Sequence, residues 1–198
     1  WATGLADLDS LLDGGLCPGD LVIIGARPSM GKTALGMTIG LNMAQYRPVA
    51  MLSMEMSHVQ LNDRITAILG HVPLPEVIRA NKENISMWSR VVEATEKAKL
   101  LHWTACDTPG LNINQVRAKA RSLKRKQGLD VLIVDYIGLM TGLDAKLSRA
   151  YQLEEVSRGL KSLAKELQCV VVCLAQLNRQ ADDLAYDAMP TMSHLRDC

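Results

Sequence analysis

The 198-residue chain has no phenylalanine, and aromatics of any kind make up only 4% of it. Stacked rings therefore cannot form its core, and burial must rest on Leu, Ile, Val, Ala and ten Met. It has no C-x-x-C pair. Its five Cys, at 17, 106, 169, 173 and 198, are odd in number and scattered, which excludes a disulfide scaffold and points to a reducing, cytoplasmic compartment. His58, His71, His102 and His194 show no ligand spacing, so they give no metal site. No apolar run approaches the length of a membrane span and no signal peptide opens the chain, so no membrane partner is expected. Charge of one sign is not in excess either. The formal net charge is +1, so any contact with a polyanion must be local. Internal repeats and low-complexity tracts are absent. The length suits one domain with a sizeable core, and the abrupt ends at Trp1 and Cys198 read as those of a fragment.

What is present is organised around ARPSMGKT, residues 26 to 33. The apolar run Leu21, Val22, Ile23, Ile24 leads into it, and a helical pattern with Leu35, Met37, Ile39, Leu41 and Met43 leaves it. Strand, turn and helix in that order let backbone N–H groups converge on phosphate oxygens at a helix N-terminus. Gly31 permits close backbone approach, Lys32 reaches the β and γ phosphates, and the Thr33 hydroxyl suits Mg²⁺. A nucleoside triphosphate is therefore expected on Ala26, Arg27, Pro28, Ser29, Met30, Gly31, Lys32, Thr33 and Ala34. One position departs from the usual pattern, because Ala26 stands where a glycine normally opens the loop. Alanine fits there only with a negative φ, and Pro28 stiffens the turn.

Buried strands are expected at 49–54, 101–106, 130–135 and 169–176, and helices at about 57–69, 75–80, 84–100, 112–127 and 152–168. The helix at 57–69 carries Val59, Ile65, Ile68 and Leu69, and that at 84–100 presents Met87, Val91, Thr95 and Ala98 on one face. Asn112 with Gln115 reads as a capping box and Gly128 as a C-terminal stop. Strands alternating with helices imply right-handed crossovers and an α/β fold with a central, mostly parallel sheet flanked by helices.

Three polar residues end apolar strands, where ligands of parallel sheets sit. Asp135 suits a hold on Mg²⁺ beside the phosphate loop. Glu55, in SMEM, can orient and deprotonate a water against the γ-phosphate, or it can simply face the dipole of the following helix; the residues alone leave both open. Gln176 can donate to the γ-phosphate and sense its loss. The run Arg117, Lys119, Arg121, Lys124, Arg125, Lys126 reads as the solvated face of an amphipathic helix.

Taken together, TGLADLD with GLCPGDL, ARPSMGKT, LSMEMS, VLIVDYIGLM, EVSRGLKSLAKEL, AQLNRQ and HLRD resemble the C-terminal, RecA-like motor domain of DnaB-type replicative helicases, over nearly the whole chain and in that family's order. Alanine at the first loop position is characteristic of the family. The resemblance implies a RecA-like P-loop NTPase using ATP and Mg²⁺, in which Lys32 and Thr33 bind phosphate and metal, Glu55 is the catalytic base, Asp135 supports the metal and Gln176 reports the γ-phosphate state. It also implies a homo-hexameric ring moving 5′–3′ on single-stranded DNA, with primase and a helicase loader as further partners. Loops at about 141–152 and 179–198 would line the channel, with Arg149, Arg179, Arg196 and Asp197 near the DNA. The acidic stretch QADDLAYDAMP departs from the family's usual basic character. The N-terminal domain, the linker helix and the terminal strands with their arginine finger are expected to lie outside this chain. Two other classes compete: a RecA- or KaiC-like ATPase that assembles on a partner without unwinding, and a nucleotide-binding scaffold without turnover, which would not need Glu55.

Overall fold

Alternation along each strand divides the apolar residues between two cores. In the computed structural model, which describes residues 1–79, 84–143 and 148–177, the elements run α1 (Ala6–Leu11), β1 (Leu21–Ala26), α2 (Lys32–Ala44), β2 (Val49–Ser53), α3 (His58–Gly70), α4 (Leu74–Arg79), α5 (Ile85–Leu100), β3 (Trp103–Cys106), α6 (Ile113–Gln127), β4 (Val131–Asp135), a 3-10 turn at Ile137–Leu139, α7 (Arg149–Leu167) and β5 (Val170–Gln176). The sheet has the order β1-β5-β4-β2-β3, and every pairing is parallel. On β4, Val131 and Ile133 join a core with Met37, Leu41, Leu61 and Ile65 from α2 and α3. Leu132 and Val134 join the opposite core, with Val116, Ala120, Val156, Leu160 and Leu163 from α6 and α7. Strands covered on both faces must be apolar at every position, which is why VLIV and VVVCLA read as unbroken runs. Each fully buried side chain of this kind contributes about 1.5–3 kcal/mol of transfer free energy.

The expected α/β architecture holds, with element ends shifted by one to three residues. Helix α2 begins at Lys32 itself, and α7 begins at Arg149, so residues 149–152 of the expected channel loop are helical. The capping box at Asn112 and Gln115 forms, as does a second one at Ser57 and Gln60 that fixes the start of α3. One facial assignment is corrected. On α5 the buried positions are Met87 and Ala94, while Thr95 is exposed and spends its hydroxyl on the Val91 carbonyl. A step of seven residues returns to one helix face, whereas a step of eight overshoots it. On α3, Leu61 and Ile65 are buried, and Val59 is 69% exposed. Helix α2 lies close against the sheet at Gly40, where a Cβ would stand 2.4 Å from Ile133 Cδ1 and 2.7 Å from the Trp103 ring. No helix among the described residues is long and apolar enough to cross a membrane.

Candidate nucleotide site

The parallel register brings the carboxyl ends of β1, β2, β4 and β5 to one edge. Ala26 pairs with Gln176, and Ser53 with Asp135. Beyond β1 the chain turns through Arg27–Gly31 and enters α2 at Lys32. Ala26 is not among the residues with positive φ, as its side chain requires; the turn instead places Ser29 (φ 63) and Gly31 (φ 88) in the left-handed region. Nothing lies within 4 Å of where a Gly31 Cβ would stand. The glycine is thus demanded by backbone conformation, and the space above it is open. No side chain caps α2, so its first N–H groups are left facing the cleft, where an anion can accept from them.

The cleft measures about 620 Å³ and is lined by the phosphate loop, except Met30, together with Glu55 and Gln176; the Met30 side chain stands in solvent. Asp135 sits beneath it with no solvent exposure. The Thr33 hydroxyl donates to Asp135 Oδ2 at 2.9 Å, leaving its oxygen lone pairs for a cation. Asp135 Oδ1 is buried without a hydrogen bond. Lys32 Nζ stands 3.5 Å away, close enough for an ion pair but beyond a good hydrogen bond. The same ammonium is 3.8 Å from Glu55 Oε2 and 3.8 Å from the centroid of the Tyr136 ring. An unsatisfied buried carboxylate oxygen beside a hydroxyl is a hard oxygen donor set of the kind that suits hydrated Mg²⁺. The residues therefore fit the metal. Among the described residues no group of three or more His, Cys, Asp or Glu could hold a metal ion.

Glu55 lies two residues before Ser57, the N-cap of α3. Its carboxylate is half-exposed and faces Lys32 across the cleft. The bend that carries it is pinned at both sides, because Met54 N donates to the Asp135 carbonyl at 2.7 Å and Met56 N donates to Ser53 Oγ at 3.0 Å. Glu55 lines the cleft, while the hydrogen-bonded cap of α3 is made by Ser57 and Gln60.

Several lining residues escaped the sequence reading. Gln60 and Arg64 come from α3, one turn apart, with Met56 just before it. Their i, i+4 spacing after SMEM was the available signal. Arg64 Nε is buried without a partner. Tyr136 follows Asp135 directly, and burial, reinforced by the Glu55 and Asp135 carboxylates, raises its phenol above the ordinary tyrosine value. Arg149, expected near DNA, donates instead to the carbonyls of Met140 (2.9 Å), Gly138 (2.8 Å) and Ile137 (3.5 Å) and to Gln152 Oε1 (3.0 Å). Arg179, Arg196 and Asp197 lie outside the described residues.

A parallel five-stranded sheet with a phosphate loop after β1, an acidic residue ending β4 and a carboxylate beyond β2 defines a phosphate-loop α/β domain of the RecA-like class. Within that class, the family model of the DnaB-like helicase C terminal domain matches residues 1–198, and the chain belongs to that family. The replicative DNA helicase DnaB of Rickettsia prowazekii (strain Madrid E) is 34% identical over 208 residues, spanning 99% of this chain and 42% of that protein. That of Geobacillus stearothermophilus is 35% identical over 198 residues, spanning 98% and 43%. A solved ATPase domain of G40P superposes with a TM-score of 0.90 at 31% identity, covering 98% of this chain and 69% of its own. The structure of a DnaB-like replicative helicase, described with its interactions with primase, gives the same TM-score and identity, covering 98% and 48%. The chain thus spans about two fifths of the length of these curated relatives.

Proposed function

We propose that the chain is the ATP-driven motor domain of a cytoplasmic replicative DNA helicase. ATP is hydrolysed at the interfaces of a homo-hexameric ring, and hydrolysis drives 5′–3′ movement on single-stranded DNA and unwinding of the duplex. The observation that carries this reading is the convergence of Lys32, Thr33, Asp135 and Glu55 on one cleft, in a chain whose relatives are named replicative helicases. The phosphate loop and the free N–H groups of α2 hold the triphosphate. Lys32 supplies a mobile positive charge to its outer phosphates. Thr33 and Asp135 would hold Mg²⁺, which when bound would neutralise developing phosphate charge. Glu55 orients a water and accepts its proton on the carboxylate, a role typically worth about 10²–10⁴-fold in rate. Gln176 responds to loss of the γ-phosphate, a reading supported by its position level with Ala26 and in the cleft lining. Arg179, Arg196 and Asp197 are assigned to the DNA channel. Arg149 would have to exchange its carbonyl partners to join them. An arginine from a neighbouring subunit completes each site, and primase and a loader are further partners.

The test is a strand-displacement assay with ATPase rates followed over one concentration series of the protein. Unwinding, with turnover per chain rising as rings assemble by up to ~10³-fold or more from an arginine supplied in trans, is the expected result. Lys32→Ala should abolish both activities and the binding of a fluorescent ATP analogue. DNA-stimulated turnover without strand displacement would instead indicate an ATPase that assembles on DNA without unwinding it.

A further inference from the structure

Lys32 has three attractive neighbours and touches none at hydrogen-bond distance: Asp135 Oδ1 at 3.5 Å, Glu55 Oε2 at 3.8 Å and the Tyr136 ring centroid at 3.8 Å. Asp135 Oδ1 is buried and lacks a hydrogen bond. A long, flexible ammonium beside an unsatisfied carboxylate oxygen gains by closing on it. That closure would tie up both groups a Mg²⁺-nucleotide needs. The ring holds the ammonium by a weaker, non-directional contact that is easier to leave than a buried, hydrogen-bonded ion pair.

The ring is itself fixed from below. A Cβ on Gly138 would stand 2.5 Å from Tyr136 Cε2, so only glycine leaves the ring this place. The turn after Tyr136 is closed by Leu139 N donating to the Tyr136 carbonyl and Met140 N to the Ile137 carbonyl, both at 3.0 Å. Arg149, from the first turn of α7, clamps it through the carbonyls of Ile137, Gly138 and Met140. Arg149 does not line the cleft.

We propose that Tyr136 is a positioning residue for Lys32, holding its ammonium off Asp135 and ready for phosphate, and that Arg149 positions Tyr136 by clamping the turn that carries it. The proposal rests on the reading of Lys32 as the nucleotide lysine. It gives Arg149 a part in ATP binding that does not require DNA.

The experiment is a titration of the protein with a fluorescent ATP analogue and Mg²⁺, without DNA, on Lys32→Ala, Tyr136→Phe, Tyr136→Leu, Gly138→Ala and Arg149→Ala, with the thermal midpoint of each recorded. Tyr136→Leu keeps bulk and loses the π face, so affinity should fall roughly 3- to 30-fold, the span of a partly desolvated cation–π contact. Tyr136→Phe keeps the face and should stay within about 2-fold of wild type. Gly138→Ala, which pushes the ring without removing it, and Arg149→Ala should both weaken binding. Unchanged affinity in Lys32→Ala would overturn the nucleotide reading itself. Loss in Lys32→Ala with wild-type affinity in Tyr136→Leu, or an equal loss in Phe and Leu, would overturn the role of Tyr136 alone. If Tyr136→Leu does not fold, wild-type affinity in Gly138→Ala overturns it. Wild-type affinity in Arg149→Ala removes Arg149 from the proposal.

Discussion

Glu55 is the residue on which turnover depends in the proposed mechanism, and its surroundings separate binding from chemistry. It stands 3.8 Å from Lys32 and half in solvent, so replacing its charge removes little that holds the fold. Glu55→Gln keeps the shape and loses the proton acceptor. ATP affinity should survive, while steady-state turnover of the assembled protein falls by ~10²-fold or more. Persistent turnover would move the base elsewhere in the cleft. The basic residues of α6 show how far a charged side chain can differ from its appearance in sequence. Arg121 forms a two-pronged pair with Glu166 at 2.7 and 2.9 Å, and Lys124 donates to the Leu129 carbonyl at 2.8 Å. These cations are partly spent within the chain, in keeping with a packed, solvated helix face.

At the scale of elements, β5 and the residue just before it carry two thiols whose burial has a measurable cost in alkali. Desolvation pushes Cys173 up to about 12 and Cys169 up to about 11 from a starting value of 9.0. The folded chain keeps these protons at pH values where the unfolded chain has released them. Stability should therefore be full below about pH 9 and fall as pH rises from there toward the folded values. Urea midpoints taken from about pH 8 to about pH 10 should drop, and drop less in Cys173→Ala. The strands and helices were legible because each carries its own pattern. VLIVD and VVVCLAQ are apolar at every position since both sheet faces are covered, and the capping box at Asn112 states where α6 begins. Within the site, the loop from Ala26 to Ala34 was legible because its groups are contiguous in sequence. Gln60 and Arg64, which reach the cleft from α3, and Tyr136, which meets Lys32 from the turn after β4, were not, because only the sheet register brings those ends together. The surroundings of Arg149 were hidden for a related reason. A charge in a polar stretch looks free until the carbonyls it closes on are seen.

For the whole molecule, a net charge of +1 means that, in the proposed ring, attraction to DNA would come from a few contacts repeated around it. Arg196→Ala in the assembled protein should weaken single-stranded DNA binding and flatten its salt dependence, with little preference for base sequence. The matched control, Arg121→Ala with Lys124→Ala and Arg125→Ala, should leave binding in place. If fluorescence anisotropy shows the reverse, the DNA runs over α6. A core without phenylalanine also sets how the molecule meets an oxidant. Met37, Met43, Met51 and Met140 are sealed in the interior, at 0–3% exposure, whereas Met30 stands 65% exposed within the phosphate loop. Peroxide converts accessible thioethers to sulfoxides and reaches sealed ones only when the fold opens. Brief peroxide treatment followed by peptide mass analysis should therefore mark Met30 ahead of the core methionines. The exposed and the sealed thioethers thus report separately on the surface of the loop and on opening of the fold.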